Sequence, residues 1–482
     1  MISQRPITLA AATTVGLLSG TGYAFSSWAP QLSDRCHLSA LSINLIGIAG
    51  NLGVYVMSPF AGKLVDRFGL RLPLMGGALC LFLGYFGLQY AYRVEWNHGG
   101  IVLYFFCFIT GIGSALGNLA ALNAAAKSYP LNRGSATALP IASYGLSAFV
   151  FSRIAHFFFV GHTERYLLTL AITCGVGLFL CSLCIKLPSS NLQENRRTRR
   201  KSFSTRDDEP ESGMLLADGT DDEAEDEIEA PTVIDSVILP DTEAEVFAEV
   251  TGWALFKHLD FCLMITIIGL LSGCGLMWIN NIGNNLVALY RAEVNSLAEM
   301  DPVVLERLQA ANVSVLSLFN CAGRIFGGVV SDVAKTRIRL QRSAFLLGSA
   351  VIFVLVSVSA YHNTSSSNLI YYTSALASAY GTMFGVGPVL TLEKYGVKDF
   401  SFNWGLVSVA PGLSGNLFNL LYGRIYDLHS DPVTHKCDVG VRCYRDAFVF
   451  TAVGCSVAVL CALTLFVRHT REARLLAKRS GT

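Results

Sequence analysis

One arginine stands where a charge is hardest to bear. Arg324 lies midway along an apolar run, 310–333, about two turns before Asp332. A guanidinium inside a bilayer faces a partner or a wet cavity. Its fork can hold a carboxylate through two hydrogen bonds. The chemistry it suggests is recognition of an anion, with no bond made or broken. A structural ion pair, or a side chain snorkelling to one interface, is the competing reading. Other polar groups lie at comparable depth in other runs. They are Tyr23, Ser26, Ser27 and Trp28; Asn118 and Asn123; Tyr144; Tyr380; Asn416 and Asn419. Trp278–Asn285 adds four Asn beside Gly283, including Asn281 and Asn284. That composition predicts a broken helix offering amides to a cavity. Hydrogen bonding between helices explains many of these residues without a solute.

A second constellation suits a gate. Gly62-Lys63-Leu64-Val65-Asp66-Arg67-Phe68-Gly69-Leu70-Arg71 falls between the second and third apolar runs. Gly62 lets a neighbouring helix approach closely. Asp66 can face a helix N-terminus and pair with a nearby arginine. Gly328 and Asp332 repeat the Gly-x-x-x-Asp spacing at an offset of 266, with Lys335 and Arg337 beyond. The alternative is that these charges only fix topology. Gly111–Gly117 superficially resembles a phosphate loop, but it lies in an apolar run and lacks the Lys-Ser/Thr ending. Arg153 and His156 could form a proton-linked pair, although snorkelling suits Arg153 better. No catalytic triad, metal cluster or nucleic-acid face emerges. We therefore expect no enzyme, no cofactor and no metal.

The elements that must position these residues are helices in lipid. The 482 residues are 52% hydrophobic and 15% charged, whereas soluble domains carry about 25% charged residues. Twelve runs of about 20 apolar residues can each cross a hydrocarbon core about 30 Å thick. They fall as six plus six. The expected organisation is a bundle over 1–187, a disordered cytosolic linker over 188–250, a second bundle over 251–467 and a basic cytosolic tail over 468–482. The first run is long enough to remain as a helix, so no cleaved signal is expected. The halves repeat each other. Gly16-Leu-Leu-Ser-Gly-Thr-Gly22 returns as Gly269-Leu-Leu-Ser-Gly-Cys-Gly275, and Gly145-Leu146-Ser147 as Gly412-Leu413-Ser414. Duplicated bundles with a site between them are the build of secondary transporters. Lys and Arg favour one side by about two to one, which puts both termini and the linker in the cytosol.

Inside the linker, Glu211-Ser-Gly-Met-Leu215-Leu216 fits an acidic dileucine signal, so a sorting adaptor is a candidate partner. Asn363-Thr364-Ser365 is a sequon on the opposite side. Most of the 13 cysteines sit in apolar runs, as small hydrophobes do. Cys437 and Cys443 flank a polar loop and could form a disulfide if that side is oxidising.

The 62–71 segment matches the signature of the major facilitator superfamily. Within it, Ser19–Phe25 with Ala29-Pro30-Gln31-Leu32, Lys127–Pro130, Ala138–Ser147, Gly323-Arg324 through Asp332, and Trp404–Pro411 resemble the nodulin-like and yeast monocarboxylate-transporter-homologue branch. The resemblance implies an all-α, twelve-helix membrane transporter of two pseudo-symmetric six-helix halves, with a vacuolar membrane as its site. It also implies that Arg324 binds a carboxylate. Monocarboxylate porters pair that arginine with a lysine and an acid, where this chain has Ser27 and Asn320. Both titratable partners of proton coupling are therefore replaced, although a coupling proton stays a candidate partner beside the lipid bilayer and a small solute. The expected solute set is Arg324, Tyr23, Ser27, Asn281, Asn284, Asn320, Tyr144 and Asn416. The expected gate is Gly62, Asp66, Arg67, Arg71, Gly328 and Asp332. The expected function is alternating-access transport of a small polar or anionic, carboxylate-like solute. The alternative is a membrane sensor signalling through its cytosolic loop.

Overall fold

Long apolar runs become helices because only a helix satisfies every backbone group of an open chain in lipid. The computed structural model describes residues 4–38, 40–96, 100–159, 161–186, 250–294, 302–430, 437 and 439–479. The first span is composite: α1 (Gln4–Ser19), a 3-10 segment (Gly20–Ser27) and the short α2 (Ala29–Arg35). Then come α3 (Ala40–Phe68), α4 (Arg71–Arg93), α5 (Ile101–Ser128), α6 (Arg133–Phe158) and α7 (Thr163–Cys184). The second half holds α8 (Leu259–Glu293), α9 (Pro302–Ile338), α10 (Ser343–His362), α11 (Leu369–Tyr395), α12 (Phe400–His429) and α13 (Arg445–Arg479). Among the described residues, ten helices are long and apolar enough to cross a membrane. The composite first span and α12 complete twelve. α12 intersperses its apolar residues with Ser401, Asn403, Ser408, Ser414, Asn416 and Asn419.

The exposure pattern is that of a lipid-embedded body. Leu413, Leu420, Ile101 and Phe105 are 67%, 69%, 78% and 59% exposed, while alanines such as Ala120, Ala121, Ala124 and Ala125 of α5 are fully buried. Small residues inside let helices approach, and large apolar ones outside meet acyl chains.

The internal repeat is a packing repeat. A Cβ on Gly20 would stand 2.8 Å from the Cβ of Ser147 on α6, and one on Gly273 would stand 3.0 Å from that of Ser414 on α12. The first copy of the glycine motif therefore lies on the first copy of Gly-Leu-Ser, and the second on the second. α1 relates to α6 as α8 relates to α12.

One expectation is corrected here. Residues 278–285 do not break their helix, because α8 runs unbroken from Leu259 to Glu293. Asn281 instead donates back to the Met277 carbonyl (2.8 Å) as well as to a neighbouring helix, so its amide does not compete with the backbone bonds of α8. The intrinsic helix cost of Asn is at most about 0.7 kcal/mol, less than freeing backbone groups in lipid. The break falls in the first span, after Ser19. Gly20 and Gly22 weaken the helix there, and Pro30 falls in the first turn of α2, where its missing N–H costs no helical bond. α8 has the matching Gly273 and Gly275 but no proline before Pro302. Another difference is at the C-terminus, where α13 continues as helix through most of 468–482, to Arg479.

Candidate solute site and the contacts between the halves

Arg324 sits on α9 with 3% of its surface exposed. Its Nε donates to Asn320 Oδ1 one turn earlier (3.1 Å), and its Nη1 donates to the Ile141 carbonyl on α6 (2.5 Å). The guanidinium carbon lies 5.5 Å above the Phe384 ring of α11, a favourable placement for a desolvated cation. Tyr144 of α6 shares a hydrogen bond with Ser114 of α5 (2.9 Å). Tyr23 meets Tyr144 edge-on at 5.4 Å and is 40% exposed. Tyr55 of α3 lies near Tyr23, Tyr144 and Tyr380. Both Tyr144 and Tyr380 feel the Arg324 charge. One guanidinium and four phenols thus converge between the two bundles.

The pseudo-symmetry explains the position. Gly145 of α6 lies against the Arg324 guanidinium, and a Cβ there would be 2.9 Å from its carbon. Its repeat partner Gly412 of α12 lies against Tyr55, 2.6 Å from the Tyr55 Cβ. The two glycines open matching slots. One is filled by a phenol from the first half and the other by a cation from the second.

Of the sequence-derived solute set, the structure gathers Arg324, Asn320, Tyr144 and Tyr23. Ser27 bonds within its own half, to Ser152 Oγ (2.7 Å). Asn281 joins α8 to α12 through Asn419 Oδ1 (2.9 Å). Asn284 is exposed on α8, and exposed Asn416 returns its amide to the Gly412 carbonyl (2.8 Å). These residues are not brought to the guanidinium. Tyr55, the Ile141 carbonyl and Gly145 were not in that set. A tyrosine in an apolar run and a backbone carbonyl carry little signal in a sequence. The match of Gly145 to Gly412 was the one available pointer.

Fourteen residues past Arg324, α9 ends near the 62–71 turn, and this end, here called the base, is closed by two reciprocal caps. Asp66 of α3 accepts from the N–H groups of Ser401 (3.3 Å) and Phe402 (2.8 Å) at the start of α12. Asp332 of α9 accepts from the N–H groups of Gly134 (3.2 Å) and Ser135 (2.6 Å) at the start of α6, and from Ser135 Oγ (2.7 Å). Each half thereby supplies a carboxylate to the positive end of a helix in the other. Gly62 and Gly328 lie at the same two crossings, where a Cβ would strike the Ser401 and Gly134 carbonyls. Asn123 of α5 reinforces the first cap, donating to Asp66 Oδ1 (3.0 Å) and Ser401 Oγ (2.6 Å). The second is reinforced by Arg342, paired with Asp332 (2.5 Å) and Glu393 (3.1 Å).

The expected pairing of Asp66 with an arginine is not seen. Arg67 lies over Phe68 (5.6 Å), and Arg71 is exposed at the start of α4. The charge near Asp66 is Lys127. The arginine-paired carboxylate is Asp332, because Arg342 at the head of α10 points inward with 5% exposure. Cys437 and Cys443 are disulfide-bonded. Among the described residues no group of His, Cys, Asp and Glu could hold a metal. Glu211, Leu215 and Leu216 lie outside the described residues.

Similarity to known proteins runs the length of the chain. The profile of the Major Facilitator Superfamily matches residues 10–392. A Saccharomyces cerevisiae protein named "Uncharacterized membrane protein YMR155W" is 25% identical across 91% of this chain and 90% of its own. "Probable transporter mch1" of Aspergillus fumigatus is 26% identical, across 95% of this chain and 85% of its own. Among solved structures, the proton:xylose symporter XylE superposes with a TM-score of 0.59 at 14% identity, covering 94% of this chain and 95% of its own. FucP in its outward conformation gives 0.54 at 12%, covering 95% and 99%. Both likenesses concern the fold.

Proposed function

The chain belongs to the Major Facilitator Superfamily, a transporter rather than an enzyme, and from that premise we propose that it carries a small anionic, carboxylate-like solute by alternating access. The observation that carries this reading is Arg324. It is a buried cation at the meeting of both halves, with Tyr144 and Tyr380 near it and Tyr23 and Tyr55 beside those two. A guanidinium with phenol donors beside it suits a planar anion with further oxygen atoms. In the same reading the Asp66 and Asp332 caps are the gate. They hold the base shut while the opposite end admits solute, and they part when the halves rock. Lys and Arg enrichment near the base supports a cytosolic base with both termini on that side. The Glu211–Leu216 signal supports a vacuolar membrane. The likeness to transporters across both bundles favours transport over signalling through the linker.

The test starts with thermal shift of the purified full chain against benzoate, succinate, methanesulfonate and inorganic phosphate. An anion at 100 times its Kd stabilises the fold by about 2.7 kcal/mol. Radiolabelled uptake of each stabilising anion then follows, in vesicles holding wild type or Arg324→Ala. We expect the variant to lose both the shift and the uptake. Unchanged affinity and rate for every transported anion would sink the proposal.

A further inference from the structure

The Arg324 guanidinium does not stay within its own half. It is anchored to Asn320 on α9, and it reaches across to the Ile141 carbonyl on α6 of the other bundle. Gly145, one turn further along α6, leaves the space that this reach needs, since a Cβ there would press on the guanidinium carbon at 2.9 Å. The same helix pair carries the Asp332 cap at the base. Opening the base moves α6 off α9, so it must break the Arg324–Ile141 bond as well.

We propose that this bond latches the base of the empty carrier shut, and that an anionic solute opens it by drawing the guanidinium off the Ile141 carbonyl. The latch stands on geometry alone, and only its release rests on the anion-carrier reading. Both acceptors on Arg324 are neutral oxygens. The middle third of each described span holds no Asp, Glu or His. An arriving anion therefore brings the first full negative charge to this cation, and a charged acceptor outcompetes a carbonyl dipole. Release needs no proton on a protein acid, so transport follows the solute gradient rather than a proton gradient. When the solute leaves on the base side, the carbonyl retakes the guanidinium and the empty carrier closes again.

Hydrogen–deuterium exchange of the ligand-free full chain in nanodiscs tests the latch. The amides of 401–403 and 134–136, at the capped helix starts, report opening of the base. In Arg324→Gln they exchange about tenfold faster or more, the factor that one charge-assisted hydrogen bond is worth. In Gly145→Ala, which keeps the charge but displaces it, they do the same. Melting temperature checks that both variants are folded. Wild-type protection in both variants overturns the latch, even if an anion is carried. Benzenesulfonate and methanesulfonate, anionic at every pH used, test the release. Either one speeds the same amides in wild type, and its uptake ignores an imposed pH gradient. Uptake that tracks the gradient overturns the proton-free release. If neither sulfonate, nor succinate or phosphate, moves the wild-type amides while the variants open, the anion trigger is wrong and the latch alone remains.

Discussion

Arg324 was legible in the sequence because a charge in an apolar run has no ordinary reason to be there. What it touches was not legible. The Ile141 carbonyl belongs to a residue whose side chain says nothing about it, and Tyr55 is one of 18 tyrosines. Asn320 was legible as a departure from a family pattern, and the structure gives that departure a purpose. It supplies a neutral oxygen to the guanidinium. Tyr55→Phe removes one hydroxyl from the cluster and leaves the ring that packs on Gly412. It should weaken anion affinity by about tenfold, the worth of one hydrogen bond to a charged group, with little change in melting temperature. Isothermal titration of the best-stabilising anion checks this, and an unaltered Kd would remove Tyr55 from the site.

At the scale of elements, the glycine repeats were readable and their packing followed. The break in the first span was misplaced because four asparagines look like a stronger disruption than two glycines. The Asn281 amide is taken up by the Met277 carbonyl and Asn419, and Gly20 and Gly22, with no side chain to restrict the backbone, loosen the first span. The two base caps also differ in a way that spacing could not reveal. Asp66 is assisted by neutral Asn123, and Asp332 by charged Arg342. Asp66→Asn should cost about 1 kcal/mol, as a lost cap does. Asp332→Asn should cost about 3 kcal/mol or more, because it leaves the Arg342 cation buried with half its pairing. Comparing the denaturation midpoints of the two variants decides the order, and equal losses would count against the asymmetry.

For the whole molecule, twelve spans in two halves could be read directly from hydropathy, charge bias and repetition. Symmetry also shows where function departs from it. The slot over Gly412 holds a phenol and the slot over Gly145 a cation, so the halves share a scaffold but not a site. If the linker signal directs the protein to the vacuole, Leu215→Ala with Leu216→Ala should move a fluorescent fusion to the cell surface, with transport in vesicles unchanged. Unaltered location would leave that segment without a sorting role. Everything proposed for transport turns on whether the buried arginine between the halves recognises an anion. The most direct test is equilibrium binding of the radiolabelled anion that best stabilises the wild type, measured on wild type and Arg324→Gln. Saturable binding to the first and a roughly tenfold weaker Kd for the second are expected, with both proteins folded. Equal affinity in the two would contradict that recognition.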